Sequence, residues 1–111
     1  MTQNLPSLLV VRHTETQWNA EGRLQGRRDT PLTLNGVRQA MAVAETMASH
    51  VEGAGWSYWS SPLGRARQTA SILADTLGVP FALFACPEAL VERRYGDWEG
   101  LTHDEIVATR R

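Results

Sequence analysis

The chain has 111 residues, of which 42% are hydrophobic and 21% charged, and its net charge is −1. This composition is typical of one globular domain over residues 1–111, and it excludes a disordered chain or a strongly basic nucleic-acid-binding protein. The single cysteine, Cys86, excludes an internal disulfide. The residues before Leu8 lack the charge and apolar length of a signal peptide or membrane span. We therefore expect a cytoplasmic protein with no nucleic-acid or membrane partner.

The first expected element is the unbroken apolar run from Leu8 to Val11. Because the run does not alternate with polar residues, it favours a strand covered on both faces, as in a parallel sheet under helices. Residues 14–32 show no sustained periodicity and contain several turn residues. They predict an irregular loop of functional type, with room for a short turn of helix.

A helix is predicted to run from Thr33, its N-cap, to about His50. Apolar residues recur there at spacings of three and four, which gives the helix one apolar face. Gly53 and Gly55 are expected to end it, and the aromatic segment 56–60 is the expected second strand.

The next helix is expected to begin with Ser61 as N-cap and Pro62 at its first position, and to stop at Gly78. Residues 81–84 predict a third short strand, which is followed by a charged loop up to Gly100.

A last helix is expected after this loop, because Thr102 and Glu105 have the spacing of a capping box. The predicted order β-α-β-α-β, with helices between short strands, favours an α/β fold with parallel strand pairing.

Arg12 and His13 directly follow the first predicted strand. Ligands of open α/β sheets bind at such strand ends. A neutral imidazole can act as a nucleophile, and an arginine offers a rigid fork of donors that suits phosphate oxygens. The plainer alternative is a surface pair that only ends the strand.

Two later clusters could complete a site of this kind. Arg65 lies in the first turn of a predicted helix, where the helix dipole does not favour a cation unless it meets an anion. Between Val91 and Gly100, three carboxylates accompany two arginines, and a carboxyl group there could donate a proton to a leaving oxygen. The alternatives are a plain surface charge at Arg65 and a polar loop closed by salt bridges.

Four motifs occur in order along the chain. They read His-x-Glu-Thr-x-Trp-Asn, Asp-Thr-Pro-Leu-Thr-x-x-Gly-x-x-Gln-Ala, Ser-Ser-Pro-Leu-x-Arg-Ala-Arg-Gln-Thr-Ala and Glu-Arg-x-x-Gly-x-Trp-Glu-Gly. Together, over about residues 8–106, they resemble the histidine phosphatase superfamily, which includes cofactor-dependent phosphoglycerate mutases and many small-molecule phosphatases. The resemblance implies a three-layer α/β/α fold with a mostly parallel sheet.

The resemblance also implies roles for individual residues. His13 would be the nucleophile that becomes phosphohistidine, and Arg12 and Arg65 would bind the transferring phosphoryl group. Glu92 would donate the proton to the leaving alcohol and later activate water. The residues expected to line the substrate site are Thr14, Asn19, Gln25, Gly26, Arg93 and Tyr95. No metal or other cofactor is expected, since the three histidines lack ligand spacing with cysteines or carboxylates.

The sequence departs from the family pattern in two places. Thr14 stands where the family usually has glycine, and its hydroxyl could donate to a phosphate oxygen. No residue after Glu92 matches the second active-site histidine of the family, so we expect the fold to be incomplete on its C-terminal side. We favour the interpretation that these residues are the N-terminal part of a longer protein. If the chain ends at Arg111, the bare sheet edge would favour homodimers, swapping or aggregation.

The segment from Tyr95 to Gly100 resembles the phosphatase branch more than the mutase branch. All 11 positively charged residues are arginines, so the chain lacks the lysine that mutases usually carry shortly afterwards. The sequence therefore predicts a metal-independent phosphatase that hydrolyses a small phosphorylated metabolite through a phosphohistidine. The alternatives are a mutase-like phosphotransferase and a non-catalytic truncated module.

Overall fold

The computed structural model describes residues 8–51 and 55–109. Within these ranges the α-helices are α1 Gln17–Glu21, α2 Leu34–Met47, α3 Gly64–Leu77 and α4 His103–Thr109. Short 3-10 turns lie at Phe81–Leu83, Glu88–Leu90 and Gly96–Trp98. The β-pairing in the described ranges consists of single bridges, Thr16 with Leu32, Arg23 with Thr102 and Trp59 with Ala85.

The core lies where α2 packs against α3. The buried side chains at this contact are mostly small, with Ala40 and Ala44 from α2 and Ala70, Leu73 and Ala74 from α3. Small side chains let two helix axes approach closely, and the distance between packed helices depends on the side chains at the contact. The loops around this pair of helices pack against it.

The start of α2 confirms the predicted cap. The Oγ1 atom of Thr33 accepts a hydrogen bond from the N–H of Gly36 at 3.0 Å. The helix ends earlier than predicted, at Met47, and its last carbonyl then accepts the N–H of His50 at 2.8 Å in a following turn. Gly53, expected to end the helix, lies outside the described residues.

The predicted start of α3 is wrong. The helix begins at Gly64, its N-cap residue is Leu63, and neither Ser61 nor Pro62 is part of it. The Oγ of Ser61 accepts the N–H of Leu63 at 3.3 Å, which makes a local turn just before the helix. The predicted end is confirmed, because Gly78 adopts the left-handed conformation with φ 73°.

The first predicted strand is not formed within the described residues. Residues 8–11 form no β-bridge there, and the side chains of Leu8 and Val10 are 88% and 80% exposed. The apolar pattern is that of a strand, but a strand also needs a neighbour to bond its backbone groups, and no described segment supplies one.

The second predicted strand makes one parallel bridge, from Trp59 to Ala85, which lies just after the third predicted strand. The N–H of Ser60 donates to Ala85 O at 2.8 Å, and the N–H of Ala85 donates to Tyr58 O at 2.9 Å. The prediction of a strand at 81–84 is wrong, because Phe81–Leu83 is a 3-10 turn. The centroid of the Phe84 ring lies 5.3 Å from that of Phe81 and 5.2 Å from that of Tyr58. Packing among these aromatic rings therefore prevails over strand propensity in this segment.

The C-terminal segment returns to the first loop. The helix α4 begins where predicted, and Thr102 Oγ1 accepts the N–H of Glu105 at 3.3 Å. Leu24 exchanges backbone hydrogen bonds with this segment, donating to Leu101 O at 2.9 Å and accepting from Gly100 at 2.7 Å. These bonds bring residues 92–100 beside loop 22–32. None of the described helices has the length and apolar content to cross a membrane.

Candidate active site

The four residues predicted to be catalytic line one cleft. This cleft has a volume of about 340 Å³, and Arg12, His13, Arg65 and Glu92 all contribute to its wall. They come from three separate parts of the chain: the segment before α1, the first turn of α3, and the loop before Tyr95. The clustering that the sequence predicts is therefore present in the structure.

The imidazole of His13 is held by its own backbone neighbour. Its Nδ1 atom lies 2.8 Å from the carbonyl oxygen of Thr14. A carbonyl can only accept, so Nδ1 carries the hydrogen, and in the neutral ring Nε2 keeps a free lone pair. Burial lowers the pKa of His13 below its ordinary value, and the positive charges of Arg65 and Arg12 add to this effect. The bond to Thr14 and the charge of Asp29 act in the opposite direction.

Arg65 is buried, with 3% of its surface exposed. Its Nη1 donates to Arg28 O at 2.8 Å and to the Asp29 carboxylate at 3.1 Å, while Nη2 donates to Gly26 O at 2.6 Å. These bonds use both hydrogens of Nη1 and one of Nη2. The Nε–H and the second Nη2–H form the remaining edge of the guanidinium, which is the pair of donors that binds two oxygens side by side.

Arg12 and Glu92 are more exposed than His13 and Arg65. The Glu92 carboxylate accepts the N–H of Arg93 at 2.8 Å, and its carbonyl accepts Arg27 Nε at 2.9 Å. Backbone and side chain of Glu92 are thus both engaged, and the residue is fixed to loop 22–32 on one side.

Thr69 connects the histidine segment to α3, and sequence reasoning gave it no role. Its Oγ1 donates to Arg65 O at 2.9 Å and accepts the N–H of Thr14 at 3.3 Å. The hydroxyl of Thr14 donates to Gly36 O at 2.7 Å, so the hydrogen expected for a phosphate oxygen is used to bind α2. Thr14, the residue after His13, is thereby bonded to both core helices.

A second, more open cleft of about 590 Å³ lies on the other side of His13. Arg12 and Asn19 also line it. The Oδ1 of Asn19 accepts the N–H of Thr16 at 3.0 Å within the capping box of α1. The side chain of Asn19 is therefore held beside the histidine, and its amide hydrogens remain as donors.

The other predicted substrate residues do not line the cleft with His13. Gln25 is buried and its Oε1 accepts the hydroxyl of Thr30 at 2.9 Å. Gly26 lies behind Arg65, to which it presents its carbonyl. Arg93 is exposed, and Tyr95 lies against Gly26. Their contact with a substrate stays a prediction.

Glu99 is a second residue that the sequence analysis did not single out. Its Oε2 accepts the N–H groups of Tyr95 at 3.0 Å and Arg27 at 3.3 Å. The bond from Tyr95 is the main reason why the pKa of Glu99 lies below its ordinary value; the bond from Arg27 contributes less. The carboxylate sits so close to Gly26 that a Cβ there would collide with it.

These contacts define a class of site. A half-buried neutral imidazole, two arginines and a carboxylate share one cleft. Such a set is typical of proteins that transfer phosphoryl groups, where positioned cations stabilise the charge on the transferring group. No group of three or more histidine, cysteine or acidic side chains that could hold a metal occurs among the described residues.

The family is shown by comparison with known proteins. The model of the histidine phosphatase superfamily (branch 1) matches residues 8–111, and the chain belongs to this family. A glucosyl-3-phosphoglycerate phosphatase from Mycolicibacterium vanbaalenii is 40% identical over 101 residues, which cover 91% of this chain and 42% of that protein. A probable phosphoglycerate mutase, GpmB, from Escherichia coli is 49% identical over 73 residues, which cover 62% and 31%.

Solved structures agree with this assignment. YhfR of Bacillus stearothermophilus superposes with a TM-score of 0.73 at 40% identity, covering 87% of this chain and 45% of that one. A mycobacterial glucosyl-3-phosphoglycerate phosphatase in complex with VO3 gives a TM-score of 0.76 at 36% identity, with 87% and 45% coverage. The fold is therefore the α/β fold of these proteins, and the chain spans less than half of their length.

Proposed function

We propose that this chain supplies the nucleophilic part of a metal-independent phosphatase, which hydrolyses a small phosphomonoester through a phosphohistidine on His13. The observation that carries the proposal is the shared cleft, in which Arg65 and Glu92 lie with a histidine whose Nε2 is free to attack. Family membership supports the same chemistry.

The first step is transfer to the enzyme. The Nε2 lone pair of His13 attacks phosphorus while the bond to the leaving oxygen breaks. The electron pair of that bond goes to the leaving oxygen, which takes a proton from the Glu92 carboxyl group. The free edge of Arg65, together with Arg12, binds the phosphoryl oxygens and stabilises their charge in the transition state.

The second step returns the enzyme to its starting state. Water attacks phosphorus and gives a proton to the Glu92 carboxylate. The P–N bond breaks, its electron pair returns to Nε2 of His13, and inorganic phosphate leaves. The two arginines provide the positive charge that a metal ion provides in many other phosphoryl-transfer sites.

The substrate we propose is a small metabolite with a single phosphate ester. Relatives are named for glucosyl-3-phosphoglycerate and for phosphoglycerate, both of which carry a carboxylate as well as the phosphate. The exposed Arg93 and the Tyr95 beside it are the proposed contacts for the leaving group. They follow Glu92, the proposed proton donor to that same group.

The experiment is phosphoenzyme trapping with a ³²P-labelled phosphomonoester, such as 3-phosphoglycerate, in the presence of EDTA. A phosphatase gives acid-labile, base-stable label that depends on His13, and it releases inorganic phosphate. His50→Ala is the matched control, because His50 is exposed in the turn that follows α2 and does not line the cleft. Absence of label in a chain that is folded by circular dichroism would contradict the proposal and favour a non-catalytic module.

A mutase-like phosphotransferase is the second candidate, because a relative named as a probable phosphoglycerate mutase is 49% identical over 73 residues. Both candidates form the same phosphohistidine and differ only in the acceptor of the phosphoryl group. Recovery of the label on a second hydroxyl of phosphoglycerate, rather than in inorganic phosphate, would support the mutase.

We further propose that residues 8–11 form a strand of a mostly parallel sheet when the domain is complete. The exposure of Leu8 and Val10 supports this, as does the limited coverage of the solved relatives. The neighbouring strand comes either from further residues of a longer chain or from a second copy of this chain. Sedimentation equilibrium separates the two, since only the second predicts a concentration-dependent dimer of these 111 residues.

A further inference from the structure

The carboxylate of Asp29 contacts Arg65 twice. One oxygen, Oδ1, accepts the backbone N–H of Arg65 at 3.2 Å and its Nη1 at 3.1 Å. The side chain of Arg65 is 4% exposed and that of Asp29 is 34% exposed, so the pair lies at the edge of the interior. One acidic side chain therefore fixes both the main chain and the head group of the buried arginine.

The contact to the main chain caps α3. The side chain of the N-cap residue Leu63 cannot accept a hydrogen bond. The missing acceptor is Asp29, which lies 36 residues before Arg65 in the chain and binds the N–H of Arg65. A negative charge at this end also suits the helix dipole. The first turn of α3, which carries Arg65, is therefore held against loop 22–32.

The contact to the head group decides which edge of the guanidinium is free. Asp29 and the carbonyl oxygen of Arg28 accept hydrogen bonds from Nη1 of Arg65, and the carbonyl oxygen of Gly26 accepts one from Nη2. Among the described residues, only the Nε–H and one Nη2–H of Arg65 have no partner, and these two donors remain for an anion. Since the guanidinium is planar and rigid, fixing one side fixes the direction of the other.

We propose that Asp29 is the positioning residue of the phosphate clamp, which orients the free edge of Arg65 and offsets part of the positive charge beside His13. The proposal rests on the phosphoryl-transfer function proposed above. Asp29 acts through Arg65 and does not itself touch the phosphoryl group.

The electrostatic part of this role follows from the charges around His13. Arg65 on α3 and Arg12 in the same segment lower the pKa of the imidazole, and Asp29 raises it. Glu92 is the other carboxylate in the wall of the cleft. Without Asp29 one of the two effects that raise the pKa of His13 is lost and only the bond to Thr14 remains, so the pKa falls further.

Gly64 makes the close approach of Asp29 possible. A Cβ at this position would collide with Oδ2 of Asp29. Gly64 has no positive φ, so alanine fits its backbone and is the better helix former. Gly64→Ala therefore displaces the carboxylate without removing its charge, while Asp29→Asn removes the charge and keeps an oxygen acceptor.

The test compares the two variants with the unchanged 111-residue chain by NMR, which requires no turnover. Asp75→Asn is the matched control, since Asp75 is exposed at the opposite end of α3. The readouts are the titration midpoint of the His13 imidazole and the Nη signals of Arg65, which are separate when the head group is held and averaged when it rotates. Affinity for inorganic phosphate is measured by calorimetry.

We expect Asp29→Asn to lower the midpoint of His13, which a purely structural role would not do. We expect Gly64→Ala to average the Nη signals and to weaken phosphate binding about tenfold, as for a charged hydrogen bond lost. Asp75→Asn should change neither. An unchanged midpoint in Asp29→Asn, or separate Nη signals with unchanged phosphate affinity in Gly64→Ala, overturns the proposal. A failure of phosphoenzyme formation, by contrast, leaves these readouts intact and counts against the proposed function alone.

Discussion

Arg27 and Glu92, far apart in the chain, are joined by a hydrogen bond of 2.9 Å from the Nε of the arginine to the backbone carbonyl of the glutamate. This bond attaches the segment with the proposed proton donor to the loop that also holds Arg65. The segment of Glu92 and the head group of Arg65 are thus both held by loop 22–32, and His13 lies in the same cleft.

His13→Ala should abolish phosphoenzyme formation. Loss of a nucleophile costs on the order of 10³-fold or more in kcat, because the covalent route is removed and only binding remains. The measurement is acid-labile label in the trapped protein, with His50→Ala as control. Label retained in His13→Ala would show that another residue is the nucleophile.

Arg65→Lys should destabilise the folded chain although the positive charge is kept. The single ammonium nitrogen of lysine cannot take the places of both Nη1, which binds Arg28 O and Asp29, and Nη2, which binds Gly26 O. Buried acceptors are then left without partners, at a cost of about 2–3 kcal/mol in the free energy of unfolding. Urea denaturation measures it. Arg38→Lys on the exposed side of α2 is the control and should change the free energy by less than about 0.5 kcal/mol.

The reaction should persist to lower pH than an ordinary histidine would allow. Only the neutral imidazole has a lone pair for attack, so activity is lost as the pH falls through the pKa of His13. Burial and the nearby arginines lower that pKa, so the acid limb should lie below the ordinary imidazole range. The pH dependence of the rate of phosphoenzyme formation checks this. An acid limb at or above that range would contradict it.

Gly26→Ala should destabilise the chain more than Gly22→Ala. Both glycines have positive φ, 57° and 71°, so alanine is strained at each by about 1–2 kcal/mol. At Gly22 a Cβ meets nothing within 4 Å, whereas at Gly26 it collides with the carboxylate of Glu99 and with the ring of Tyr95. The difference between the two free energies of unfolding isolates the collision. Equal losses would mean that Glu99 and Tyr95 both move aside freely.

Because of Glu99, part of the free energy of unfolding should be lost at acid pH. Its pKa is lowered in the folded chain by the N–H groups of Tyr95 and Arg27, so the folded state favours the ionised form. The contribution is complete above the carboxylate pKa of the unfolded chain and is lost as the pH falls through the folded value. Glu99→Gln should flatten this part of the stability curve, and Glu45→Gln, an exposed change on α2, should not.

The sequence was sufficient where structure is decided by neighbouring residues. Thr33 caps α2 and Thr102 begins α4 as predicted, because each cap is a bond to a residue three positions away. The start of α3 could not be found in this way, since its capping carboxylate comes from Asp29. Residues 8–11 have the pattern of a strand, but the pattern does not contain the partner that would make it one.

The site follows the same division. The resemblance predicted that His13, Arg65 and Glu92 belong together, and the structure brings them to one cleft. Asp29 lies in a motif that carried the resemblance and Thr69 in another, yet neither had a visible role. Their function exists only as contacts across the fold, and no spacing along the chain shows them.

The arginines that hold the first loop donate mostly to main-chain oxygens: Arg65 to Gly26 and Arg28, Arg27 to Glu92, Arg23 to Gly100. A substitution cannot remove a carbonyl. The tolerance of folding stability to mutation should therefore be one-sided, with the donor arginines sensitive. Among the acceptors, the side chain of Glu92 should be replaceable without loss of stability, although not of the proposed proton transfer, whereas Gly26 and Gly100 must stay glycine for space. In a saturation library of this region scored for folding, a donor arginine should tolerate few substitutions and its acceptor residue, where this is not glycine, many, although the two take part in the same hydrogen bond.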